Sequence, residues 1–345
     1  MMNKKLIIII IAAILILSLI GVLLFVAVKK QNQAKLPVVA MPQAKKVLDE
    51  AVIAPVASFD NNAIWYFNSV GRLFRVNIDG SGLTEFPLPA LADGKLRRAL
   101  WPKTGSDFIA ITGLGANEVK TYYNSTQKIY ITLPSNIQSL DWLPDSLRVV
   151  YIWKSSDNVH QQLVMANADG TGFKTIKDVF WPDLKVVASP DGKTVLLWRS
   201  SVQGDINKIY AANLQTGQID TVVAQGKNTA ADWLPVGNRF IFAQSSITAY
   251  PRLYLYDFTN QQAVDLNLNT TLDKVTFDKN GLALYAAVPK KDNSGDTFIK
   301  VDLKNFKQEI YFEPSQNIHA SGLVMVGNTL YFSNTQDQKF YTIVK

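Results

Sequence analysis

RLFRVNIDGSGLTEF, residues 72–86, and QLVMANADGTGFKTI, residues 162–176, are near copies of one another. Each runs from an apolar segment through Asn-x-Asp-Gly-[Ser/Thr]-Gly into a second apolar segment. Glycine takes the positive φ of a tight turn and aspartate accepts local backbone bonds, so each stretch reads as a β-hairpin. Weaker turns fall in step with them. The sites Asp79, Asn124, Asp169, Thr216, Thr259 and Lys304 are 45, 45, 47, 43 and 45 residues apart. A period in that range is the mark of a propeller or solenoid.

A second marker keeps the same rhythm. ALWPKTGSDFIAI, LDWLPDSLRVVYI, VVASPDGKTVLLW, ADWLPVGNRFIFA and VTFDKNGLALYAA each give a strand, a turn and an apolar strand. Proline at 102, 144, 190 and 235 presets φ for the turn. Val, Ile, Phe, Tyr and Trp fill the strands. Four strands per repeat make a propeller blade. Blades are expected to start near Ile53, Leu96, Gln138, Leu184, Thr229, Lys274 and Ala320. The predicted fold is therefore all-β, a seven-bladed β-propeller. The last repeat holds only three strands, GLVMV, TLYFS and KFYTIVK. Lys45–Asp49 resembles the fourth strands elsewhere, so it is expected to close the ring and remove an exposed edge.

SPDGKTVLLW (residues 189–198) and the NxDG[ST]G turns resemble the repeats of TolB-type, WD40-like (PD40) bacterial propellers. The resemblance covers everything after the N-terminal linker. It implies the fold, and a role among binding proteins, periplasmic scaffolds or the non-catalytic domains of peptidases.

Charge is unevenly placed. Residues 1–46 hold seven lysines and no acid; removing them from the 35 basic residues leaves 28, against 28 acidic ones. The body is neutral, which argues against a nucleic-acid partner. Leu6–Val28 is apolar apart from Ser18 and Gly21. At ~1.5 Å per residue it reaches roughly 35 Å, enough for a bilayer core of ~30 Å. It is longer than the apolar part of a cleaved signal peptide. The expected organisation is a short cytoplasmic head (1–5), a transmembrane anchor helix (6–28) in the lipid bilayer, a juxtamembrane linker (29–43) and the propeller (44–345). Lysines flank both ends of the apolar run. The short head and large C-terminal body place the propeller outside the cytoplasm, periplasmic or extracellular.

The chain contains no cysteine, which excludes disulfides and thiolate chemistry. His160 and His319 are isolated, no Gly-x-Ser-x-Gly elbow occurs, and the Asp-Gly turns carry too few carboxylates for the ~6–8 oxygens calcium takes. No metal, cofactor or catalytic set is implied. The chain reads as a binding or scaffold module of the cell envelope; the alternatives are a hydrolase- or lactonase-type enzyme at the channel mouth, or a ligand sensor. Trp101, Trp142, Trp233 and Phe277 recur at one strand position and are assigned to blade packing. Trp181 has no counterpart and is a candidate surface aromatic. Counting five residues back from the turn gives Arg97, Ser139, Lys185, Ala230 and Lys274. Arg97, Lys185 and Lys274 are then candidates for a basic channel mouth that accepts an acidic peptide or an envelope protein's carboxylates.

Overall fold

The two near-copied stretches fold alike. In the first, Asp79 Oδ1 accepts bonds from the Ser81 N–H at 2.9 Å and the Ser81 hydroxyl at 2.6 Å. In the second, Asp169 Oδ1 accepts from the Thr171 N–H at 2.9 Å and the Thr171 hydroxyl at 2.7 Å. Gly80 and Gly170 take φ of 88° and 84°. Gly82 takes φ of 64°, a left-handed conformation that favours glycine, so the motif's last glycine is set by the backbone. These aspartates serve the turn itself.

The structure, a computed structural model, describes residues 42–344 except 90, 92–94, 156–159, 200–206 and 246–249. The expected head, anchor and most of the linker lie outside the described residues. Among the described residues, no helix is long and apolar enough to cross a membrane.

Strand β1 (Gln43–Leu48) comes first. Blade 1 is β2 (Ile53–Ala57), β3 (Ala63–Phe67), β4 (Leu73–Asn77) and β5 (Thr84–Phe86). Blade 2 is β6 (Leu96–Leu100), β7 (Phe108–Thr112), β8 (Val119–Asn124) and β9 (Ile129–Thr132). Blade 3 is β10 (Ile137–Trp142), β11 (Arg148–Lys154), β12 (Gln161–Asn167) and β13 (Lys174–Val179). Blade 4 is β14 (Leu184–Ala188), β15 (Thr194–Arg199), β16 (Ile209–Asn213) and β17 (Ile219–Val223). Blade 5 is β18 (Asn228–Trp233), β19 (Arg239–Gln244), β20 (Arg252–Asp257) and β21 (Gln262–Asn269). Blade 6 is β22 (Val275–Phe277), β23 (Ala283–Pro289), β24 (Asp296–Asp302) and β25 (Gln308–Phe312). Blade 7 is β26 (Ala320–Val326), β27 (Thr329–Asn334) and β28 (Lys339–Val344), with β1 as its fourth strand in the order β1-β28-β27-β26.

The second strand of each blade alternates its side chains between the two neighbouring blades. In β7, Phe108 and Ala110 pack with blade 1, while Ile109 packs with blade 3. Seven apolar clusters result, one at each blade-to-blade interface. The tryptophans act as expected and add a polar clasp. The indole N–H groups of Trp101, Trp142 and Trp233 donate to the carbonyls of Ala54, Leu100 and Val187 on the preceding blade, at 2.9, 3.0 and 3.2 Å. Trp142→Phe is expected to cost about 1–2 kcal/mol, because it leaves the Leu100 carbonyl without its donor. Trp142→Ala is expected to cost about 3–5 kcal/mol through the void it opens. Urea unfolding measures both, and a Phe variant as stable as the parent removes the clasp from the account.

Candidate functional site

The first strands of neighbouring blades lie side by side, β2 next to β26 and β6, β14 next to β10 and β18. They line the central channel in tiers set by strand register. Arg98, Ser139, Lys185 and Ala230 pair with Ile111, Ile152, Trp198 and Ala243 and form one tier. Lys274 holds the same place in blade 6, one residue before Val275, which pairs with Ala286. Two residues further along, roughly 7 Å at ~3.3 Å per residue, come Leu100, Asp141, Val187, Asp232 and Thr276.

Arg97 is not in the first tier. The β6–β7 register steps from Leu96 to Arg98, so Arg97 is the extra residue of a bulge. The proline count misplaces it because blade 2 reads Trp-Pro, whereas blades 3 and 5 read Trp-Leu-Pro. Alignment on the tryptophans points to Arg98 directly. Lys185 is exposed, as are Arg97 and Arg98. Lys274 is committed elsewhere. Its Nζ lies 3.0 and 2.9 Å from the two carboxylate oxygens of Asp296, which is 1% exposed. Asp296 Oδ2 also accepts the Ala320 N–H of blade 7 at 2.6 Å. The pair clasps blades 6 and 7. Trp181 is half-buried and stacks on Tyr210, centroids 4.3 Å apart at 21°, while its neighbour Phe180 is 82% exposed.

The acids of the second tier escaped the sequence reading, although Asp-Trp-Leu-Pro occurs twice and marks both. Asp141 Oδ2 accepts the Ala188 N–H of blade 4 at 2.8 Å. Burial pushes its carboxyl up to about 6, against the pull of its backbone bonds and of Arg98. Burial, and then the Asp141 charge, pushes Asp232 up to about 7. The Asp232 side chain is itself exposed to solvent, so water moderates this penalty. The folded chain therefore holds more protons than the unfolded chain between about pH 4 and 7. The stability these neutral carboxyls contribute is present at the acid end and lost as pH rises through about 6 and about 7. Asp232→Asn is expected to gain in Tm over the parent as pH rises across that window. A constant Tm gap from acid to neutral pH sinks this reading.

A cleft of about 800 Å³ opens between blades 1 and 2. Its apolar surface includes Phe59, Trp65, Phe86 and Trp101, and its charged residues are Arg75, Lys103, Lys128 and Asp60. Trp65 comes from β3 and lies 4.3 Å, centroid to centroid, from Phe86 of β5. Arg75 donates to the side-chain carbonyls of Asn77 and Asn62 at 3.3 and 3.0 Å. Asp60 accepts the Ser58 hydroxyl at 2.5 Å, and that bond holds its carboxyl below the usual carboxylate range. Among the described residues, no group of three or more His, Asp or Glu side chains is placed to hold a metal.

No protein-family model matches the chain, and no curated protein matches it. Solved structures do. Oligogalacturonate lyase from Vibrio parahaemolyticus superposes with a TM-score of 0.64 at 9% identity, over 87% of this chain and 93% of that one. The β-propeller domain of the Trilobed protease from Pyrococcus furiosus gives 0.58 at 10%, over 85% and 95%. That domain is described as having an open velcro topology, whereas here β1 closes the ring. TolB from Acinetobacter baumannii gives 0.45 at 15% identity, over 85% and 78%. At these identities the shared property is the fold: the chain is a seven-bladed, all-β propeller with four-stranded blades.

Proposed function

We propose that this chain is a protein-binding or scaffold module, tethered to the membrane by residues 6–28 with its propeller outside the cytoplasm. The observation that carries this is how the channel's ionisable groups are used. Lys274 is held by Asp296, and Asp141 by the backbone of the next blade, so both are spent on assembling the ring. Arg98, Lys185 and Asp232 stay exposed in the channel, and the accessible apolar chemistry lies in an aromatic cleft and in exposed rings such as Phe180 and Phe59. Exposed apolar groups of this kind mark interaction surfaces.

Two experiments test the proposal. Protease added to intact cells or spheroplasts is expected to cut the propeller; complete protection until lysis would reverse the placement. The full-length chain in detergent is expected to retain an envelope protein at fixed stoichiometry. A second reading, an enzyme with its site in the channel, is favoured by two neighbouring channel carboxyls, Asp141 and Asp232, whose pKa values are pushed up from the usual carboxylate range toward that of a general acid. Under that reading the chain turns over a small substrate and Asp232→Asn abolishes the turnover, an outcome that overturns the binding role.

A further inference from the structure

The cleft between blades 1 and 2 lies beside the shortest outer strand of the ring. β5 is three residues long and exposed along its length, while the other fourth strands run from four to eight residues. The register position of Trp65 is held in the other blades by Ile109, Val150, Leu196, Ile241, Tyr285 and Tyr331. All of these but Tyr285 are buried. Blade 1 places the largest side chain of the set there and leaves it half-covered. Phe59, at the tip of the β2–β3 turn, is 84% exposed beside it, and Phe86 is 36% exposed. Exposing three large aromatic rings at one opening sacrifices burial that a merely structural interface would have taken.

The charge around these rings has one sign. Three cations, Arg75, Lys103 and Lys128, face one acid, Asp60, on a propeller body whose formal charge is balanced. Lys103 and Lys128 are exposed and enter no ion pair among the described residues. The partners of Arg75 are neutral amides, which orient the guanidinium without cancelling its charge. A half-enclosed cleft concentrates the field of like charges and raises the local concentration of anions. At about 800 Å³ it holds a few side chains rather than a folded element.

Resting on the reading of the chain as a binding module, we propose that this cleft docks an acidic, extended segment of a partner protein. One large apolar side chain of that segment seats on Trp65 and Phe86, and its carboxylates face Arg75, Lys103 and Lys128. The apolar anchor supplies affinity by desolvation, and the cations supply orientation and association rate.

The test uses the full-length chain in detergent and the fluorescent peptide Asp-Glu-Leu-Phe-Asp-Glu, read by anisotropy. The comparison probes are Lys-Lys-Leu-Phe-Lys-Lys, Asp-Glu-Ser-Ser-Asp-Glu and an oligo-dT strand. The anchored acidic peptide is expected to bind best, with an affinity that falls as salt is raised. The double variant Lys103→Glu, Lys128→Glu is expected to weaken it by about tenfold or more, and Phe59→Ser to weaken it by a similar factor. These side chains are exposed, so the melting temperature is expected to stay unchanged. Equal binding of the lysine peptide, preferential binding of the oligonucleotide, or no binding of the acidic peptide overturns the proposal. If the acidic peptide binds but ignores both variants and responds to Lys185→Glu instead, the cleft is wrong and the binding-module reading stands. Turnover of a substrate that is lost in Asp232→Asn sinks that reading separately.

Discussion

Removing residues 1–50 is expected to abolish cooperative unfolding, whereas removing 1–41 leaves a folded domain. The difference is β1. It pairs antiparallel with β28 from Gln43 opposite Val344 to Leu48 opposite Phe340, with a bulge at Val47. Without it the backbone groups of β28 form an open edge, available for pairing with another chain. Leu48 also leaves the cluster it shares with Ile64, Tyr66, Val76, Val326, Tyr331 and Phe340, at a cost of about 2 kcal/mol for the side chain alone. Asp49 is lost with it. Its carboxylate lies 2.7 Å from Lys339 and 2.6 Å from Lys46, and the bond to Lys339, more than that to Lys46, draws its pKa down to about 2. Calorimetry and light scattering of the two truncations decide the matter. Identical melting of both would mean that the ring does not depend on its N-terminal strand.

Lys274→Met is expected to destabilise the fold by about 3–5 kcal/mol at neutral pH, because it strands the Asp296 carboxylate in a dry site. The Ala320 N–H remains as a partner, and one backbone donor does not replace an ammonium bonded to both oxygens. Lys274→Met combined with Asp296→Leu is expected to recover most of the stability, since an apolar pair of similar volume replaces a buried ion pair at little cost. Chemical denaturation at neutral pH tests both statements. A single variant within about 1 kcal/mol of the parent at neutral pH would contradict the clasp.

Lys274 shows where sequence reasoning reached and where it stopped. Its place in the first tier was legible, because blade period and strand start are written in local turn chemistry. Its partner was not. Asp296 lies 22 residues ahead, at the start of β24, and meets Lys274 only once that strand has folded back beside β23. Trp181 followed the same course. Its lack of a counterpart was visible in the repeats, but its stacking on Tyr210 arises where blade 3 packs against blade 4.

What the sequence by itself determined is the repeat. Expected blade starts at Ile53, Leu96, Leu184 and Ala320 coincide with strand starts, and those at Gln138, Thr229 and Lys274 fall one residue from Ile137, Asn228 and Val275. The closing strand, expected at Lys45–Asp49, runs from Gln43 to Leu48. These features follow from φ preferences at Gly and Pro and from two-residue alternation, which are local and recur in every blade. Only the tertiary structure decided which charges face one another. The β6–β7 register puts Arg98 in the channel tier and leaves Arg97 as the extra residue of a bulge. It also decided that a cleft opens at blade 1. The cleft lies beside a short strand, and the side chains that line it belong to segments distant in sequence.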